Sequence, residues 1–199
     1  MSAHQVFASG RKELRRDQAA ASARPLRELV IRRLTAGDAP AIEAHLLALE
    51  PVDRHSRFHA LLGDEAVLTY ARRIDFERMI LIGAFDVESE SLIGLAEAHL
   101  DNAAQPLRTE VSVSVLASRR GQSIGRLLVA VALDAAATRG ARCADFYYRT
   151  GNRAIGRLVR DLGTPIATAL GHASLALPLA PISSHQPESL DPDVIDWRR

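Results

Sequence analysis

The run Glu110-Val111-Ser112-Val113-Ser114-Val115, continuing as Leu116-Ala117-Ser118-Arg119-Arg120-Gly121-Gln122-Ser123-Ile124-Gly125-Arg126, decides the fold. The alternation of valine with polar residues predicts a half-buried strand. Apolar side chains at Ile124, Leu127, Leu128, Val131 and Ala135 then share one face of a helix from Ser123 to Thr138, closed by Gly140. A short glycine-bearing turn between strand and helix aims several backbone N–H groups at one point. The first N–H groups of a helix lack internal partners, and the helix dipole favours negative charge there. Such a turn holds a phosphate or pyrophosphate, and Arg119, Arg120 and Arg126 add positive charge. Taken alone, the stretch is equally a strand–turn–helix with a solvated arginine cluster. It lacks the Gly-Lys-Ser/Thr of a P-loop and the Gly-x-Gly-x-x-Gly of a dinucleotide fold.

Outward from this unit, Leu29–Leu34 predicts a first strand, and Thr35–Asp38 starts a helix through Ile42, Leu46 and Leu49 that ends near Pro51. Helical stretches follow at Ser56–Leu62 and Asp64–Ile74. Strands at Met79–Asp86 and Leu92–Asp101 flank the polar turn Glu88–Ser91, and Arg108–Leu116 makes the next strand. Beyond the loop helix come a strand at Cys143–Arg149, a helix at Asn152–Leu162 and one or two strands within Ile166–Leu179. Residues 1–28 read as a flexible or helical extension, 29–179 as one domain, and the proline-bearing 180–199 as an irregular tail.

A chain of 199 residues suits one domain with a full core. Its formal charge of +1 argues against nucleic acid as a partner. Apolar runs fall far short of a membrane span and the N-terminus has no signal-peptide core, so the expectation is a soluble, cytoplasmic protein. The lone Cys143 reads as a small buried apolar residue. No set of His, Cys, Asp and Glu has metal-ligand spacing, so no metal is expected.

Arg120-Gly121-Gln122-Ser123-Ile124-Gly125 resembles the pyrophosphate loop of the GNAT superfamily of N-acetyltransferases, which reads Gln/Arg-x-x-Gly-x-Gly/Ala and grips coenzyme A. The order of elements resembles that α/β (α+β) fold, a mixed, mostly antiparallel twisted sheet with helices on both faces. Asn152-x-x-Ile155-x-x-Leu158-x-x-x-Leu162-Gly163 is similar to the family's helix after the fifth strand. Asp53-Arg54-His55-Ser56-Arg57-Phe58, Ile74-Asp75-Phe76-Glu77-Arg78 and the place of Glu110 resemble one branch, the catalytic domain of bacterial protein-lysine acetyltransferases. The resemblance implies acetyl-CoA as cosubstrate, an amine acceptor (a protein lysine or a small molecule), and at family level a homodimer through the last strands. It also implies that Val113, Val115, Leu116, Ala117, Arg119, Arg120, Gly121, Gln122, Ser123, Ile124, Gly125, Arg126 and Asn152 hold the cofactor.

Two departures stand out. Ser123 replaces the loop's first glycine; it caps helix starts well but resists positive φ, which predicts an altered loop or weaker cofactor binding. Val159 stands where many members carry a tyrosine acid for the departing thiolate. Tyr147 and Tyr148 on the preceding strand could serve, or water.

An amine with a reference pKa of about 10.4 is no nucleophile until it loses a proton, so the reaction needs a base. The alternation puts the valines in the core and Glu110 on the other face with Ser112 and Ser114, which makes Glu110 the candidate catalytic residue. Glu97 is the rival, its plain reading a solvent-facing acid. His99 and His172 read as polar strand residues, and the His45–His59 region, with His55 and Arg57, reads as lining of the acceptor side or, more plainly, as solvated surface. The alternative function is a degenerate domain that binds acyl-CoA as a sensor, and a further one is a nucleotide-binding domain without acyl chemistry.

Overall fold

The computed structural model describes residues 29–178, so the extension and tail expected at the two ends lie outside the described residues. Seven strands form one sheet in the order β1-β2-β3-β4-β5-β7-β6. They are β1 (Leu29–Arg33), β2 (Met79–Asp86), β3 (Leu92–Asp101), β4 (Arg108–Val115), β5 (Cys143–Tyr147), β6 (Ala167–Ala169) and β7 (His172–Ala176). Neighbours run antiparallel throughout except β4 with β5. The helices are α1 (Ala39–Leu47), α2 (Pro51–Phe58), α3 (Asp64–Arg72), α4 (Ile124–Thr138) and α5 (Arg153–Leu162).

Helices cover both faces, as expected. On one face Ile124, Leu128, Val129 and Ala132 of α4 bury with Ile80, Ala96, Val111 and Phe146 of the sheet. The helix lies close because β3 carries Gly94, where a Cβ would stand 2.8 Å from Leu128 Cδ1. On the other face Ile42, Leu46 and Val67 pack on Leu81, Leu92 and Leu95. The alternation in β4 holds: Val111 is core and Val113 and Val115 pack against it, while Glu110, Ser112 and Ser114 face the other way. Cys143 is buried.

Two expectations about the first third of the chain need correcting. The helix expected at Ser56–Leu62 spans Pro51–Phe58. Pro51 does not merely end α1: it opens α2, where its missing N–H is no loss, and His59 ends the helix in a left-handed turn at φ 55°. Nor is this helix a solvated surface throughout. Arg57 Nη2 stands 2.6 Å from Glu97 Oε1 and donates to Tyr70 Oη at 3.0 Å, and the tyrosine hydroxyl in turn donates to Glu97 Oε2. Glu97 is 2% exposed, so it is a buried ion-pair partner and not a solvent-facing acid. Burial opposes charge on Arg57, but Glu97 and Tyr70 outweigh it and hold its pKa above the ordinary value. Burial and Glu97 together push the Tyr70 hydroxyl up.

Removing one member of such a pair strands the other charge without solvent. Arg57→Leu is expected to cost about 3–5 kcal/mol in urea unfolding, and the double variant Arg57→Leu/Glu97→Leu to recover most of that loss.

Candidate active site

β4 and β5 pair at Arg108↔Cys143, Thr109↔Ala144 and Glu110↔Asp145, and there the ladder stops. Past that point the strands part around a cavity of about 820 Å³. The Leu116 N–H donates to Ile93 O at 3.0 Å, so by the alternation of an antiparallel ladder Val113 and Val115 turn their backbone groups into the gap. Such an unpaired strand edge suits an extended, amide-bearing chain. Leu116, expected to offer its backbone here, has spent its N–H on β3, and Leu116, Ala117 and Gln122 lie outside the cavity lining.

The loop closes one end of the gap. Gly121 and Ser123 take φ 75° and 61°, so Ser123 adopts the glycine-like turn that its side chain disfavours. Its hydroxyl makes no cap hydrogen bond, contrary to the capping role expected of a serine there. Among the described residues no N–H from Gly121 to Arg126 donates to a backbone carbonyl, which leaves a cluster of donors at the start of α4. Gly125 packs between the walls: a Cβ there would meet Val115 at 3.6 Å and Leu158 at 3.7 Å.

The arginines divide. Arg119 is 6% exposed with Nη1 3.0 Å from Asp86 Oδ2, so its charge is balanced inside the protein while Nε has no partner. Arg120 donates from Nε to Val115 O at 3.3 Å and pairs through Nη2 with Asp53 of α2. Arg126 is exposed on the rim. Across the gap Asn152 caps α5, its Oδ1 accepting from the Ile155 N–H at 3.3 Å, and its Nδ2 donates to Ser56 Oγ of α2 at 2.9 Å.

Glu110 is exposed at the last position of β4 that pairs with β5. It lines both the gap and a second cavity of about 560 Å³, and His59, Tyr147 and Tyr148 are shared by the two in the same way. Beside it Asp145 is bound by Arg108 at 2.7 and 2.6 Å, by His172 Nε2 at 3.0 Å and by the Ser174 hydroxyl. Burial pushes the Asp145 carboxyl up, and these bonds more than reverse it, to about 2. Val159, in the register of the family's tyrosine, is 1% exposed in the core and offers no acid. Glu97 lines neither cavity.

The sequence marks the region from His45 to His59 as acceptor lining or surface but gives neither histidine a role of its own. His45 lies on the apolar stripe of α1 with Ile42 and Leu46, and that place is the signal for its burial. Its Nδ1–H donates to Leu92 O at 3.0 Å, and Nε2 accepts from Ser114 Oγ at 2.8 Å, tying α1 to the strand beside the gap. No such signal exists for His59, whose place comes from the left-handed end of α2.

Residues 45–163 match the acetyltransferase (GNAT) family. The chain belongs to the GNAT acetyltransferase family. Its fold is similar to the GNAT domain of the Streptomyces lividans protein PAT (TM-score 0.61, 18% identity, 74% of this chain and 89% of that one). It is also similar to a GNAT acetyltransferase from Kribbella flavida (0.63, 20%, 77% and 100%). A third likeness is to a Vibrio cholerae spermidine N-acetyltransferase with CoA and spermine bound (0.58, 18%, 75% and 96%). No curated protein sequence matches. Among the described residues of this GNAT domain no helix is long and apolar enough to cross a membrane.

Two outcomes are expected. Ser123→Gly relieves a left-handed backbone and raises stability by about 1 kcal/mol in thermal unfolding. Burial depresses His45 to about 4, below its unfolded value near 6.5. The unfolded chain therefore binds more protons between those values, and stability falls as pH drops from about 6.5 to 4. A His45→Gln variant should show a shallower fall, by up to about 3 kcal/mol, in urea titrations across that range.

Proposed function

We propose that this GNAT domain transfers an acetyl group from acetyl-CoA to an amine, with a lysine side chain as the leading acceptor. The observation that carries the reading is the position of Glu110, at the end of the β4–β5 ladder and on the wall of both cavities. The pantetheine arm lies against the open edge of β4 at Val113 and Val115, and the pyrophosphate sits on the N–H groups of Gly121 to Arg126 with Arg120 and Arg126 beside it. The orphan donors of the loop and the unpaired edge support that fit. Glu110 takes a proton from the ammonium and passes it to water. The freed nitrogen attacks the thioester carbon, whose oxygen gains charge against a backbone N–H of the strand edge. The C–S bond then breaks, sulfur keeps the pair and takes a proton, and the amide nitrogen loses its second proton. With Val159 buried, water is the donor to sulfur, which suffices for a good leaving group. Against the degenerate-sensor reading stands the carboxylate of Glu110 on the wall of both cavities.

Glu110→Gln is expected to lower kcat by about 100-fold or more. The rise in melting temperature with acetyl-CoA should survive; a ligand at 100 times its Kd adds about 2.7 kcal/mol. Unchanged turnover removes Glu110 from this role. A rise with ADP equal to that with acetyl-CoA favours a nucleotide-binding domain instead.

A further inference from the structure

If acetyl transfer to an amine is the reaction, the second cavity narrows the amine. Its lining carries a single carboxylate, Glu110, and a single guanidinium, Arg149. Near Glu110 stands Tyr147, 51% exposed, whose ring stacks on His172 at 4.7 Å. Asp145 pins His172 at 3.0 Å, so the tyrosine ring is backed by a hydrogen-bonded partner and presents a fixed plate. An aromatic plate beside a carboxylate attracts an ammonium head, and its alkyl stem finds apolar surface at Leu170, 92% exposed. Asp145 adds no second negative pole, because Arg108 binds both its oxygens.

Arg149 is the opposite pole. Its Nη1 donates to His55 Nδ1 at 3.2 Å, and among the described residues no carboxylate pairs with it. A guanidinium tethered by a neutral acceptor keeps its remaining donors, in the planar fork that matches a carboxylate. A second ammonium on the acceptor would meet it as a like charge. The geometry points to an acceptor with one primary ammonium and a carboxylate close to it, with Glu110 reading the first and Arg149 the second. Nα-acetyl-lysine and a peptide lysine next to an acidic residue share that chemistry, and a polyamine lacks it.

The test is release of CoA thiol by the full chain with acetyl-CoA and four acceptors. These are Nα-acetyl-lysine, an N-terminally acetylated lysine peptide with flanking glutamates, the same peptide with flanking arginines, and spermidine. The glutamate-flanked peptide or Nα-acetyl-lysine is expected to exceed the arginine-flanked peptide and spermidine in kcat/KM by about fivefold or more. Which of the two leads tells a protein acceptor from a small molecule. Arg149→Gln should erase the preference and Arg149→Glu should turn it toward spermidine. In both, a retained thermal shift with acetyl-CoA reports an intact fold and cofactor site. Equal kcat/KM across the panel, or an unchanged ratio in Arg149→Glu, overturns this inference and leaves the acetyltransferase reading standing. No release with any acceptor overturns both.

Discussion

The end of the β4–β5 ladder at Glu110 and Asp145 is the constraint around which the rest is arranged. A strand that loses its neighbour in mid-sheet leaves backbone groups exposed inside the protein, and those groups need partners. Here Arg120 takes the Val115 carbonyl, the first turn of α4 packs Gly125 against the open strand, and α5 forms the far wall. The loop, the acid at the last ladder position and the two cavities all take their places from that parting.

Helix α2 bridges the parted strands by two kinds of contact. Its anchor is Arg57, buried with Glu97 and Tyr70 under the sheet, where unpairing would leave a charge without solvent. Its outer contacts are Asp53 to Arg120, Ser56 to Asn152 and His55 to Arg149, one on the loop and two on the opposite bank. Contacts of that outer kind are weak because water competes for them. The helix is thus fixed at its root and exchangeable at its rim. Asp53 occupies the guanidinium that an incoming anion would seek.

Much of this was legible in residue order. The valine alternation of β4, the stripe of α4 and the turn residues between them carry local signals, and the strand order follows succession as far as β5, beyond which β7 lies between β5 and β6. Glu110 could be placed because parity alone assigns its face. Arg57, Tyr70 and Glu97 could not, since each looks like an ordinary polar residue of its own element and their meeting depends on how α2 and α3 dock. Arg119 reads from its neighbours as an anion ligand, yet its partner Asp86 belongs to a hairpin far away in the chain. Pro51 carries two readings, the end of one helix or the start of the next, and only the packed structure separates them.

The sheet ends at β6, a strand of 3 residues beside the second cavity, and the next turn runs through Gly171 at φ 79°. A Cβ at Gly171 would stand 2.7 Å from Tyr148 O, so only glycine fits that turn. An acceptor chain that approached as an added strand would find only a short ledge of main-chain donors and acceptors. On the proposed reading, choice among acceptors falls to side chains meeting side chains, and a lysine presented on a folded surface needs no local unwinding to be read.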